Sequence, residues 1–395
     1  MNFDEYIDRR EYPTLKWRAA FLNEHFGNPD AIPMSVADMD FKAPPAVIAR
    51  LGQRAAHGVY GYGYRPEGYF GALLAWYRDR YGWEIAREHL VPSPSILNAM
   101  AILINQHSER GNGVILQPPV FFEFRMVIRR NHRRVVKNPL RLVDGHYEID
   151  FEDLERKAAD PNNKILILCS PHNPVGRVWQ REELEQVAAI CRRHGVFVIA
   201  DEIHGDFALP PRQFVPYLSV ADGENAAACI SPAKTFNISG LVEAFTIIPN
   251  AAHRQAFRAF MEQYFLDRVH VFGVEAVEAA YRDGGAWLDA LLAYLRGQVD
   301  FIRAYLQRAD IGVSLIEPEG TFLAWLDFRG LGLEAKALEQ FLAHEAQIAL
   351  AQGYWFGREG AGFGRMTIAC PRQTLERALN NLRAAVLARR ARGGT

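Results

Sequence analysis

Five short runs that are apolar at almost every position recur through the middle of the chain: GVILQPP (113–119), KILILCSP (164–171), VFVIADE (196–202), AAACISP (226–232) and AFTIIPN (244–250). A strand that is apolar throughout has no face for water. Such strands belong to a mostly parallel sheet with helices on both sides. Between two of them, REELEQVAAICRRHG (181–195) starts acidic, ends basic and closes on Gly195, as the helix dipole and a C-terminal stop require. From about residue 286 the period changes. WLDALLAYLRGQVDFIRAYLQ predicts a long amphipathic helix, followed by strand-like GTFLAWLDF (320–328), the helix EAKALEQFLAHEA and the strand FGRMTIAC (363–370). The expected fold class is therefore α/β, a mostly parallel central sheet plus a smaller α+β domain. We expect a large domain over 41–285, a small one over 286–395, and an N-terminal segment, 1–40, that packs with the small domain.

A length of 395 residues suggests two or three units, and a formal net charge of -1 gives no overall attraction to nucleic acid or anionic membrane. Basic residues do cluster in RMVIRRNHRRVVK (125–137) and in the tail RAAVLARRARGGT (383–395). The first reads as a solvated helix end plus an edge strand, and the second as a frayed helix end. The four cysteines, Cys169, Cys191, Cys229 and Cys370, are widely spaced and form no CxxC pair, as expected of reduced core residues in a cytoplasmic protein. The N-terminus is polar and acidic, unlike a signal peptide, and no apolar run approaches a membrane span. GYG at 61–63 lacks the preceding strand and third glycine of a dinucleotide fingerprint, and no HExxH or other metal-ligand spacing occurs. A small-molecule partner is the expectation.

In open α/β sheets, ligands bind beyond the carboxyl ends of the strands. Three apolar runs end there in polar chemistry: KILILC in SPHNPVG, VFVIA in DEIH, and AAACI in SPAK. Lys234 in SPAKTFNISGL is either a strand-end lysine turned to water or a buried amine whose pKa is lowered enough for nucleophilic or Schiff-base work. Asp201 follows five apolar residues, so its carboxylate would be buried and would welcome a protonated ring nitrogen. Asn173 and His204 could hydrogen-bond a phenolic oxygen on the same ring. Taken singly, Asp201 reads as a helix cap, His204 as a core histidine or metal ligand, and Asn173 as a turn former. Together with Lys234 they supply what pyridoxal phosphate needs. Ser93 and Ser95 precede the helical pattern ILNAMAIL, whose N-terminal amides suit an anion or an ordinary serine cap. Ser231 can point its hydroxyl at the same anion, and Phe121 can stack on the ring or fill the core.

The combination SPHNPVG, DEIH and SPAKTFNISG resembles the pyridoxal-phosphate enzymes of aminotransferase class I/II (fold type I), and more closely their cystathionine β-lyase-type carbon–sulfur lyase branch. SVADMDFKAPP (35–45), HGVYGYGY (57–64), GGAWLDALLAYL (284–295), GTFLAWLDFRGL (320–331) and GREGAGFGRMTIACPR (357–372) extend the likeness over nearly the whole chain. The resemblance implies that Lys234 is the Schiff-base lysine, that Asp201 pairs the pyridine nitrogen, and that Asn173 and His204 contact the phenolic oxygen. It implies that Ser95, Ile96 and Ser231 hold the phosphate, with Tyr62 reaching it from the other subunit of a homodimer. Arg365 would clamp the substrate α-carboxylate, beside Asn173. Phe121 stands where the family often has a tyrosine, and LVEAF places Glu243 where no clear phosphate-binding arginine stands. The implied reaction is β-elimination: Lys234 removes the α-proton and a thiolate leaves, so that L-cystathionine yields homocysteine, pyruvate and ammonia. The alternatives are a transaminase built from the same parts and a regulatory protein that keeps the fold as a ligand sensor.

Overall fold

The computed structural model describes residues 1–241 and 243–393, so Val242 of LVEAF and the last two residues of the basic tail lie outside the described residues. Seven strands make the main sheet: β1 (Leu90–Ser93), β2 (Gly113–Leu116), β3 (Arg134–Lys137), β4 (Asn163–Cys169), β5 (Phe197–Asp201), β6 (Ala226–Ile230) and β7 (Ala244–Ile247). Their order is β1-β7-β6-β5-β4-β2-β3. Every neighbour pair from β6 to β3 is parallel, and β7 runs against both β6 and β1.

The apolar runs take this form because each pleat face is covered. On β4, Ile165, Ile167 and Cys169 face one buried cluster, while Leu166 and Leu168 face the other. Each fully buried aliphatic side chain of this kind stabilises the fold by about 1.5–3 kcal/mol relative to exposure. The edge strand β3 differs, with Arg134 and Lys137 exposed, which discourages further pairing at that edge. The helix Arg181–Arg193 has a capping box between Gln180 and Glu183, and Gly195 beyond it takes φ +65°.

A second sheet is antiparallel throughout, formed by β8 (Ser314–Ile316), β9 (Leu323–Asp327), β10 (Ala351–Gln352) and β11 (Phe363–Thr367) in the order β8-β9-β11-β10. The helix Gly285–Ala309 precedes it and the helix Arg372–Ala391 follows it. The expected helix EAKALEQFLAHEA breaks into a helical stretch, Ala335–Gln340, and a wider π turn, Phe341–Glu345. The chain start lies against this part: Ile32–Pro33 pairs in parallel with Ile348–Ala349, and the Asp40 N–H donates to the Ala369 carbonyl.

Register then positions the chemistry. Cys169, Asp201 and Cys229 stand side by side at the carboxyl ends of β4, β5 and β6. Ser93, at the end of β1, pairs with Ala244 at the start of the reversed β7, so both reach the same edge.

Candidate active site

At this edge a cleft of about 410 Å³ opens, bordered by Ser95, Ile96, Phe121, Asn173, Asp201, His204, Ser231 and Lys234. The loop after β4 reaches it by a tight return: the Gly176 N–H donates to the His172 carbonyl, and the Asn173 N–H to Cys169 Sγ at 3.4 Å. Gly176 has φ +75°, and a Cβ there would meet Pro318 at about 3.0 Å, so only glycine fits. Beyond β5, Asp201 Oδ1 accepts the Ile203 N–H at 3.1 Å, and the turn folds His204 back into the protein. Beyond β6, Ser231 caps a single helical turn, Pro232–Thr235, which carries Lys234. That turn is pinned on its far side, where Thr235 Oγ1 donates to Asp206 Oδ2 at 2.6 Å; Asp206 also accepts from Trp76 Nε1 and Tyr81 OH.

The polar groups around the cleft are strained electrostatically and under-partnered. Burial pushes the Asp201 carboxyl up to about 7, against the Ile203 hydrogen bond and the attraction of Lys234. Burial also pushes His204 down to about 3, helped by the charges of Lys234 and Arg365. Lys234 is lowered by burial as well, and its amine donates to the Ala37 carbonyl at 2.6 Å. Among the described residues, the second Asp201 oxygen has no hydrogen-bond partner, and His204 Nδ1 and Ser93 Oγ are buried without one. Such orphans are costly unless a ligand meets them. The anion corner is the N-terminus of the helix Ile96–His107: Ser95 Oγ accepts the Asn98 N–H, while the N–H groups of Ile96 and Leu97 take no backbone partner. The donor and acceptor set therefore fits a flat heterocycle bearing a protonatable nitrogen, a hydroxyl and an anionic arm.

Not every sequence-derived residue takes the posture expected of it. Ser231 borders the cleft, but its hydroxyl donates to the Glu243 carbonyl at 2.7 Å and accepts the Ala233 N–H, so its proton is spent on the backbone rather than aimed at the anion corner. Tyr62, expected to reach the cleft of another subunit and not its own, is fully exposed and lies outside this chain's cleft lining. Arg365 is buried next to the cleft, donating from Nη1 to Asn173 Oδ1 at 3.0 Å and from Nη2 to the Ser35 carbonyl at 2.6 Å. The Glu243 carboxylate is balanced by Arg65 Nη2 at 3.3 Å and Tyr69 OH at 2.9 Å, a cation and a phenol that sequence reasoning missed. Also missed were Glu123, which borders the cleft, and the backbone carbonyls of Ser35 and Ala37.

A seven-stranded mixed sheet with a half-buried lysine and a buried aspartate beyond adjacent strand ends defines an α/β enzyme that carries its reactive group in a cleft at the sheet edge. The chain belongs to the aminotransferase class I and II family, which it matches over residues 29–382. It is 38% identical to the cystathionine beta-lyase PatB of Bacillus subtilis over 98% of this chain and 100% of that one. Among solved structures, cystalysin from Treponema denticola, which contains a pyridoxal 5'-phosphate cofactor, superposes with a TM-score of 0.93 at 32% identity, covering 98% and 99% of the two chains. The PLP-bound C-S lyase from Staphylococcus hominis superposes with a TM-score of 0.90 at 30% identity, covering 98% of each.

Proposed function

We propose that this chain is a pyridoxal-phosphate-dependent carbon–sulfur β-lyase that acts on L-cystathionine or related cysteine S-conjugates, releasing a thiol, pyruvate and ammonia. The observation that carries the reading is the pairing of a desolvated Lys234 amine with an under-partnered Asp201 carboxyl in one cleft, in a chain 38% identical to a cystathionine beta-lyase and 30% identical to a C-S lyase.

Bound there, pyridoxal phosphate supplies an electron sink conjugated to the substrate α-carbon. Asp201 holds a proton at the ring nitrogen, because its buried carboxylate gains a partner only when that nitrogen is protonated. The Asn173 amide, its carbonyl already committed to Arg365, offers its N–H groups to the ring hydroxyl, and His204 borders the same cleft. Ser95, Ile96 and Ser231 border the anion corner, and Phe121 covers the ring face and excludes water. Arg365 orients the substrate by its α-carboxylate, with its guanidinium held by Asn173 and by Ser35. Lys234 Nζ, lowered toward neutrality by burial, takes the proton from the substrate α-carbon. The C–S bond then breaks with its electron pair on sulfur, and the Lys234 ammonium is placed to return the proton to the leaving thiolate.

The same proposal includes a homodimer, in which Tyr62 of the partner subunit reaches the phosphate corner. Val59, Tyr60, Tyr62 and Tyr64 are all exposed, which leaves an aromatic surface for such a contact. It also includes a boundary near residue 286, where one helix ends at Asp283 and the next begins at Gly285. A cytoplasmic location accords with four buried free cysteines.

The test is an absorption spectrum of the purified protein before and after L-cystathionine, with pyruvate assayed in the same cuvette, beside Lys234→Ala. Steady pyruvate release by the wild type alone, without added keto acid, is expected. Product that appears only when a keto acid is supplied would replace this reading with an aminotransferase; a spectral change with no turnover would replace it with a sensor.

A further inference from the structure

Among the described residues, Glu123 is the cleft-lining acid left without a partner. Of the other acids there, Asp201 accepts the Ile203 N–H and Glu243 accepts from Arg65 and Tyr69. Among the described residues, no hydrogen bond or ion pair reaches the Glu123 carboxylate, although it borders the same space as Lys234. Its place in the first turn of the helix Phe122–Arg130 accounts for an acid in dipole terms, but a solvated acid would serve the dipole as well. This one is half-buried, and burial pushes it up in pKa while the charge of Lys234 opposes the shift.

Its neighbour in the chain leads toward the carboxylate clamp. Phe122, the preceding residue, leans on Phe121 at 5.2 Å between ring centroids and on Phe356 at 6.2 Å. The Arg365 guanidinium in turn lies 4.9 Å from the Phe356 ring. Glu123 thus follows in the chain a member of the aromatic row that links Phe121 to the Arg365 clamp. Ala37, Leu97 and Ile203 give the same cleft apolar surface, which weakens the screening of a charge within it.

We infer that Glu123 is a specificity-determining residue that selects amino acids whose leaving thiol carries a primary ammonium, over those with neutral tails. The inference rests on the lyase reading for what leaves, and L-cystathionine belongs to the selected class. The carboxylate accepts a charge-assisted hydrogen bond from the distal ammonium, and substrate binding supplies the partner that the fold withholds.

The holoenzyme and its Glu123→Gln and Glu123→Lys variants would be titrated with L-lysine and L-norleucine, which carry no β-leaving group, and binding read from the cofactor's visible band. The same proteins would be assayed for pyruvate from S-aminoethyl-L-cysteine and S-propyl-L-cysteine. The wild-type preference for the cationic member of each pair is expected to fall about tenfold in Glu123→Gln and to reverse in Glu123→Lys. Unchanged binding ratios in both variants overturn the inference. So does a Glu123→Gln variant that shifts only the pH midpoint of the visible band, which would make Glu123 a group that tunes Lys234. A binding preference that falls as expected without pyruvate release from either thioether keeps this inference and removes the lyase reading; pyruvate release with unchanged ratios does the opposite.

Discussion

Two groups of buried charge meet at the segment 35–40 and differ in how completely they are satisfied. On one side, Asp40 accepts from Lys16 Nζ at 2.7 Å, Trp17 Nε1 at 2.9 Å and Arg9 Nη1 at 2.9 Å, while Lys16 also donates to the Asp38 carbonyl. Arg9 closes the cluster on Asp38. On the other side, among the described residues, the Lys234 amine has one backbone acceptor, Asp201 one backbone donor, and His204 Nδ1 none. A buried polar cluster whose members are all paired works as a clamp, whereas one with open valences is waiting for a ligand. The clamp around Asp40 holds the segment whose carbonyls at Ser35 and Ala37 meet Arg365 and Lys234.

The largest effect should come from opening the clamp. Asp40→Ala leaves the Lys16 ammonium buried with only the Asp38 carbonyl and no counter-charge, and a loss of about 3–5 kcal/mol in urea unfolding is expected. Lys16→Met combined with Asp40→Leu should recover part of it, because the ammonium goes with its carboxylate while Trp17 Nε1 and Arg9 Nη1 still lose that acceptor. Lys234→Ala should behave oppositely, with unfolding free energy no lower than wild type, since it removes a desolvated cation. Equal urea midpoints for Asp40→Ala and wild type would erase the distinction between the two groups.

A second test titrates the open group in the cofactor-free protein. Asp201 is raised from 3.8 to about 7, so between those values the folded state holds a proton that the unfolded state has lost, and this group lowers stability as pH rises. His204 is lowered from 6.5 to about 3, so over that range the unfolded state binds the extra proton, and this group raises stability as pH rises. From about pH 4 to 6.5 the two nearly cancel. Relative to wild type, Asp201→Asn should therefore steepen the rise of stability with pH by up to about 1.4 kcal/mol per unit, and His204→Asn should tilt it the other way. Parallel curves for all three proteins would mean that neither group is displaced by burial.

Much of the site was legible in the chain because it is made by strand ends. Asp201, Asn173 and Lys234 each follow an apolar run, and parallel register sets Cys169, Asp201 and Cys229 in one row. The reversal of β7 was not legible, since a strand buried on both faces reads alike in either direction. The acceptors for Lys234 and Arg365 are backbone carbonyls, which leave no side-chain signature at Ala37 or Ser35. Arg65 and Glu243 are 178 positions apart, one just ahead of a helix and the other just ahead of β7, a pairing that only folding creates. Ser231 was legible as a residue at the site but not in its posture, because Glu243 supplies the competing carbonyl.

Two smaller substitutions sharpen the comparison at its margin. Arg365→Lys cannot reach Asn173 and Ser35 together or grip a carboxylate with two parallel bonds, so KM for the amino acid should rise about tenfold, with kcat changed less. Ser231→Ala should cost about 1 kcal/mol of stability, because the Ala233 N–H loses its cap and the Glu243 carbonyl its donor. Cofactor affinity should stay within a few-fold of wild type, since the hydroxyl proton is already committed to the backbone. A tenfold weaker cofactor in Ser231→Ala would show that the hydroxyl leaves Glu243 for the phosphate on binding, which would move Ser231 from the satisfied kind of buried group to the open kind.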